Sequence, residues 1–279
     1  MDYYTLTIEC DIEKHPKIEA ILEMNFISSW TEEDTDNGKK LTFYLPQDET
    51  GYERIKTISQ ELKKEELLLG QNILKGEEWE HTWKKNFKTR KLENIVVTPP
   101  WLPYTPKDGE YVIEIEPGMA FGTGDHATTA LCILLLQKYQ KQTCSMLDLG
   151  TGSGILAMAS KLLGANTVVG IDNDPIAVTE ANENLRKNNL EGKVRIELGN
   201  AHEEIKGEYD IICANLFLHQ VQSILKTDIP YLKKGGVFIG SGITLEQKKE
   251  AEQCISDSGF ELLEIANEGL WIAFAVKKQ

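Results

Sequence analysis

Polar and apolar residues alternate over 3–9, Tyr-Tyr-Thr-Leu-Thr-Ile-Glu, and this two-residue period predicts a half-buried strand. The period then lengthens. Ile18, Ile21 and Leu22 recur at helical spacing within 14–24. A short strand is expected over 26–31, and Asp34-Thr-Asp-Asn-Gly38 reads as a turn in which Asn37-Gly38 is the strongest hairpin signal. The chain returns as a strand over 40–45. Ile55, Ile58 and Leu62 share one face of a helix over 51–66, and 67–74 supplies a fourth strand. The order βαββαβ predicts an α+β ferredoxin-like domain over 1–75, without a catalytic cluster, suited to docking a substrate.

Residues 76–92 read as a linker helix. Trp79, Trp83 and Phe87 are four apart and form one aromatic stripe. The stripe either packs the helix on a domain or forms a platform for a substrate. From 93 to 279 strands and helices alternate. Strands are expected over 94–98, 110–116, 145–149, 167–171, 194–198, 209–215 and 235–242. Helices are expected over 128–139, 155–163, 175–188 and 245–256, and another opens within 216–219. That order predicts a doubly wound, Rossmann-like α/β sheet. The end breaks the pattern. Strands over 260–265 and 270–276 are joined by Ala266-Asn-Glu-Gly269, too short for a parallel crossover, so the last strand runs antiparallel.

Candidate chemistry gathers at the strand ends. Asp148-Leu-Gly-Thr-Gly-Ser-Gly154 follows an apolar strand and opens a helix, so Gly150, Gly152 and Gly154 let a ligand approach the backbone at a helix start. The spacing is G-x-G-x-G, not the dinucleotide G-x-G-x-x-G. The next strand ends at Asp172, placed to bind ribose hydroxyls or to cap the helix that starts at Pro175. Asn200 and Asn215 end two further strands on the same rim, and Asn200 is a candidate for an adenine edge. Upstream, Pro117-Gly-Met-Ala-Phe-Gly-Thr-Gly-Asp-His-Ala-Thr-Thr129 is a second glycine-rich loop. Thr128 or Thr129 either caps the following helix or offers its hydroxyl to a ligand.

Composition narrows the class. The chain has 279 residues, 41% apolar and 27% charged, suiting two soluble domains. No apolar run approaches membrane-spanning length, and the first residues carry no basic or apolar signal core. Five cysteines lie in apolar stretches without a C-x-x-C pair, so buried free thiols in a cytoplasmic compartment are expected. The five histidines show no ligand spacing, and no metal is expected. Residues 1–75 hold 16 acidic and 9 basic residues, a balance of −7 out of the chain's −14. An acidic surface disfavours nucleic acid and either suits a basic partner or serves solubility alone.

A seven-stranded sheet with one reversed strand is the pattern of S-adenosylmethionine (SAM) methyltransferases, and Asp148 to Gly154 resembles the SAM motif of their class I. Phe121-Gly-Thr-Gly-Asp-His-Ala-Thr-Thr129, Trp79-x-x-x-Trp-Lys and Ala214-Asn-Leu216 together resemble the narrower PrmA family of ribosomal-protein methyltransferases. The chain departs from that family's commonest pattern at Asp125 and Ala127. The resemblance implies that Thr129, Gly150, Asp172 and Asn215 contact SAM, with Asp148, Gly152, Gly154 and Asn200 beside them. It implies methyl transfer to lysine and α-amino groups of a basic large-subunit ribosomal protein by a cytoplasmic monomer, without direct nucleic-acid or membrane contact. Asn215 and His126 are the catalytic candidates; His126 or His219 either takes the proton or is a structural group beside the site. The alternatives are a related enzyme acting on another protein lysine or a small molecule, and, in another class, a NAD-binding oxidoreductase or a noncatalytic nucleotide-binding protein.

Overall fold

The computed structural model describes residues 3–11, 14, 15, 18, 21, 22, 30–35, 38–46, 49–64, 68–74, 88–116, 122, 124, 126–200 and 205–279. They fall into two compact units, one within 1–88 and one built from 89–116 and 122–279. The aromatic stripe at Trp79, Trp83 and Phe87, and the loop residues Phe121, Thr123 and Asp125, lie outside the described residues.

In the first unit, β1 (Tyr3–Cys10), β2 (Trp30–Thr35), β3 (Gly38–Pro46) and β4 (Leu68–Leu74) form one sheet in the order β2-β3-β1-β4, with every neighbouring pair antiparallel. Leu6 and Ile8 of β1 and Leu41 and Phe43 of β3 have no exposed surface. They pack with Ile55, Ile58 and Leu62 of helix α1 (Glu49–Lys64) and with Ile18 and Leu22. The helical spacing read from the sequence thus matches the buried face. β2 begins at Trp30 and runs on to Thr35, into the acidic stretch expected to be a turn. Thr35 pairs with Gly38, one residue earlier than an Asn37-Gly38 turn requires. β2 is an edge strand, so Glu33 stays exposed at no burial cost.

The second unit holds two sheets. β5 (Arg90–Leu92) pairs antiparallel with β6 (Ile95–Thr98), which pairs parallel with β7 (Tyr111–Glu114). Residues 90–92, expected to end the linker helix, are therefore strand. Three residues are too few to display a period.

The larger sheet contains β8 (Ser145–Leu149), β9 (Thr167–Asp172), β10 (Arg195–Leu198), β11 (Tyr209–Asn215), β12 (Leu232–Thr244), β13 (Glu261–Glu268) and β14 (Trp271–Lys277). Their order is β10-β9-β8-β11-β12-β14-β13. β8 to β12 are mutually parallel, and β14 runs antiparallel to both neighbours, as the short final connection required. The helices are α2 (Ala127–Tyr139), α3 (Ile155–Leu162), α4 (Pro175–Lys187), α5 (Leu218–Leu225) and α6 (Lys248–Ser258). Two apolar layers result. One holds Leu131 and Leu135 of α2, Leu156 and Met158 of α3, and Met146 of β8. The other holds Leu147 and Leu149 of β8 with Val221 and Ile224 of α5 and Ile255 of α6. Adjacent residues of β8 enter opposite layers, the alternation of a strand buried on both faces. The order reverses between β8 and β11, the switch point beyond whose carboxyl ends open sheets of this kind form their ligand crevice.

No helix among the described residues is long and apolar enough to cross a membrane. Cys10, Cys132, Cys144 and Cys213 are buried free thiols, whereas Cys254 on α6 is only half-buried. Burial pushes the Cys132 and Cys213 thiols well above their ordinary range.

Candidate functional site

The site grows from the junction of β8 and α3. Gly150, Gly152 and Gly154 have φ of 69°, 53° and 82°, the left-handed region that glycine adopts without strain. The turn is stitched to the next strand, since the N–H groups of Gly150 and Thr151 donate to the Ile171 carbonyl at 2.9 and 3.0 Å. Gly152 N–H donates to Asp172 Oδ2 at 2.8 Å, and Asp174 N–H donates to Asp172 Oδ1 at 3.0 Å. Each carboxylate oxygen thus has one backbone donor and spare lone pairs, and the group is part-exposed on the rim. Helix capping falls to Asp174, whose Oδ1 accepts from Ile176 N–H at 2.8 Å. The structure removes one of the two readings of Asp172: it braces the glycine turn and does not cap α4.

Asp148 lies deeper than expected. It has no exposed surface, and its Oδ2 accepts from the Thr151 hydroxyl at 2.7 Å. Burial pushes its carboxyl up to about 7; the bonds from Thr151 and the Ala157 backbone oppose this, and the Asp172 charge adds to it. Asp148 shapes the turn from below instead of lining the rim. Thr151 and Ser153 were not singled out from the sequence, because the motif reads through its glycines. Ser153 Oγ donates to the Gly122 carbonyl at 2.6 Å, joining the two glycine-rich segments, and its own carbonyl accepts from Asn184 Nδ2 at 3.0 Å.

Across the crevice, Asn215 ends β11 and meets the first turn of α2. Its Nδ2 donates to Thr128 Oγ1 at 3.1 Å and approaches Thr129 Oγ1 at 3.5 Å. Both threonines are 1% exposed. Asn215 Oδ1 is buried and has no hydrogen-bond partner among the described residues. Of the two readings of Thr128 and Thr129, cap or ligand contact, capping falls to His126, whose Nδ1 accepts from Thr128 N–H at 3.4 Å and lies 2.7 Å from Thr128 Oγ1. That nitrogen is engaged at the helix start. The His126 ring meets Trp271 edge-on, with centroids 4.8 Å apart. Asn200 is exposed just beyond β10, where Gly199 N–H donates to the Asp172 carbonyl at 2.9 Å. His219 is exposed on α5 and stacks on Phe217 at 6.0 Å, with no hydrogen bond to Asn215.

Gly150, Gly152, Asp172, Asn200, Thr129 and Asn215 thus come together on one rim. The arrangement suits a nucleoside: a glycine turn at a helix start, a fixed carboxylate beside it, and an orphaned amide oxygen at the far end. Among the described residues, no group of three or more His, Cys, Asp or Glu side chains is arranged to hold a metal ion.

The family model described as ribosomal protein L11 methyltransferase (PrmA) matches residues 3–279. The ribosomal protein L11 methyltransferase of Alkaliphilus oremlandii is 38% identical over 255 residues, spanning 88% of this chain and 81% of that protein. That of Clostridium perfringens strain SM101 is 40% identical over 230 residues, spanning 80% and 73%. Among solved structures, the ribosomal protein L11 methylase of Lactobacillus delbrueckii subsp. bulgaricus superposes with a TM-score of 0.63 at 29% identity, covering 69% of this chain and 100% of that one.

Proposed function

Because the chain belongs to the ribosomal protein L11 methyltransferase (PrmA) family, we propose that it transfers methyl groups from SAM to lysine side-chain and α-amino groups of ribosomal protein L11. The observation that carries this reading is the Gly152 N–H to Asp172 bond at 2.8 Å, which joins the glycine turn to a rim carboxylate. Calorimetric titration with SAM and with NAD tests it. SAM alone binding supports the methyl donor, and NAD alone binding overturns it.

When bound, SAM supplies an electrophilic methyl group on a positively charged sulfur. Asp172 holds the ribose hydroxyls, and the backbone at Gly150 faces the methionine part. Thr129 reaches the amino-acid end, Asn200 the adenine edge, and Asn215 borders the methyl group. Gly152 and Gly154 keep the turn low, while Asp148 braces it through Thr151.

The chain's remaining task is to bring a neutral amine into line with that carbon. A lysine amine has a reference pKa of about 10.4, and a pocket of low polarity lowers it by penalising the ammonium form. No dedicated base is then needed. Asn215 Oδ1 accepts one amine N–H and holds the lone pair in line.

The first unit has the strand order and antiparallel pairing of a ferredoxin-like domain. We assign 1–75 to recognition of the substrate protein, 76–92 to a linker that ends in strand β5, and 93–279 to methyl transfer. The −7 balance of residues 1–75 suits a basic partner. The protein acts as a cytoplasmic monomer.

A further inference from the structure

We propose that Thr128 and His126 are positioning residues that decide which end of the Asn215 amide faces the incoming amine, an inference that rests on the methyltransferase reading above. It follows from counting donors. The backbone N–H of Thr128 can only donate, and it donates to His126 Nδ1 at 3.4 Å. Nδ1 is therefore the acceptor nitrogen of a neutral ring, and the ring proton sits on Nε2. The same Nδ1 lies 2.7 Å from Thr128 Oγ1. With no proton on Nδ1, the hydroxyl is the donor in that contact. Thr128 Oγ1 then has only lone pairs left to offer, and Asn215 Nδ2 donates to one of them at 3.1 Å.

The chain of bonds thus has one polarity, from the Asn215 amide N–H through the Thr128 hydroxyl to His126. Its consequence appears at the other end of the amide. Oδ1, not Nδ2, is left over, a buried atom without a hydrogen-bond partner among the described residues. A neutral amine ready for methylation has one lone pair, which must point at the methyl carbon. Its N–H groups therefore need acceptors. A reversed Asn215 amide would present a donor, which competes for that same lone pair. The edge-on Trp271 ring, 7% exposed and 4.8 Å from the imidazole, holds the histidine in the orientation that keeps Nδ1 on the cap.

Two measurements test this. Nitrogen-15 spectra of the labelled wild-type protein at pH 8, with His126 assigned by its loss in His126→Asn, are expected to show a proton on Nε2 and a bare Nδ1. A proton on Nδ1 overturns the proposal without any assay of activity. In kinetics with ribosomal protein L11 and SAM, Thr128→Val is expected to lower kcat about tenfold or more, with KM for SAM within about threefold, and Thr128→Ser to recover most of the loss. A valine variant with wild-type kcat, a fall confined to KM for SAM, or a serine variant that does not recover overturns it. Absence of methyl transfer by the wild type itself would instead overturn the methyltransferase reading, and the ring-proton measurement would still decide the polarity.

Discussion

Gly152 and Asp172 are 20 residues apart in sequence and joined by one hydrogen bond of 2.8 Å, from the backbone N–H of the turn to the carboxylate that ends the next strand. The bond makes the acid part of the turn. Asp172 arrives pre-oriented, since Asp174 N–H fixes its other oxygen.

That arrangement fixes what Asp172→Ala should do. The variant loses the ribose acceptor and the brace on Gly152 together. SAM affinity is expected to fall by about 1–3 kcal/mol, or roughly fivefold to 150-fold. Asp172→Asn keeps one acceptor oxygen and should fall between. Calorimetry measures both, and unchanged affinity in Asp172→Ala would refute the ribose role.

Asp148 makes a prediction about pH. Its carboxyl is raised from an ordinary 3.8 to about 7 in the folded protein, chiefly by burial. Between those values the folded state binds the proton that the unfolded state has released. The group's contribution to stability is therefore fully present only below its ordinary value of 3.8, is lost as pH rises from there toward 7, and is constant above. Asp148→Asn removes this titration while keeping an oxygen for the Thr151 hydroxyl. In urea melts, the stability difference between variant and wild type should move in the variant's favour from pH 4 to 7, by at most ~4 kcal/mol. Parallel stability curves would contradict it.

Gly242 tests how tightly the segment after Asn215 is held. Its φ is +83°, and a Cβ there would lie 2.3 Å from the Leu216 carbonyl oxygen. The obstacle is backbone, so relief requires moving Leu216 and with it Asn215. Gly242→Ala is expected to cost about 2 kcal/mol or more, seen as a lower Tm, and to lower kcat. A wild-type Tm would mean that the segment yields freely.

Much of this site was legible because its parts are local. An apolar strand, a glycine turn and a helical period are contiguous from 145 to 162, and Asp172 ends the next apolar run. Register then does the rest: Leu149 pairs with Ile171, which sets the turn beside the acid. Asp148 was misplaced because an aspartate beside a binding turn reads as polar and accessible, and only the packing around β8 reveals its burial. The capping role of His126 was missed for a similar reason. Caps are commonly Ser, Thr, Asp or Asn, and two threonines follow immediately. β2 was placed too early because its acidic residues resemble a turn, although an edge strand tolerates them. β12 extends back to Leu232, past Gly235 and Gly236, which broke the pattern that marks a strand.

The division of labour between the units has its own test. Deleting residues 1–75 should leave SAM affinity within about threefold of wild type, because every residue proposed to contact the donor lies in the second unit. Methylation of intact ribosomal protein L11 should be abolished. A truncated enzyme that modifies the protein at the wild-type rate would remove the docking role.

The most direct test of the whole account is the mass spectrum of purified, unmodified ribosomal protein L11 before and after incubation with this enzyme and SAM. The account predicts mass gains in whole methyl increments, located on lysine side chains and the α-amino group, and sharply reduced with Asp172→Ala. A ribosomal protein L11 that remains unmodified, while the enzyme is folded and SAM is present in excess, would contradict it.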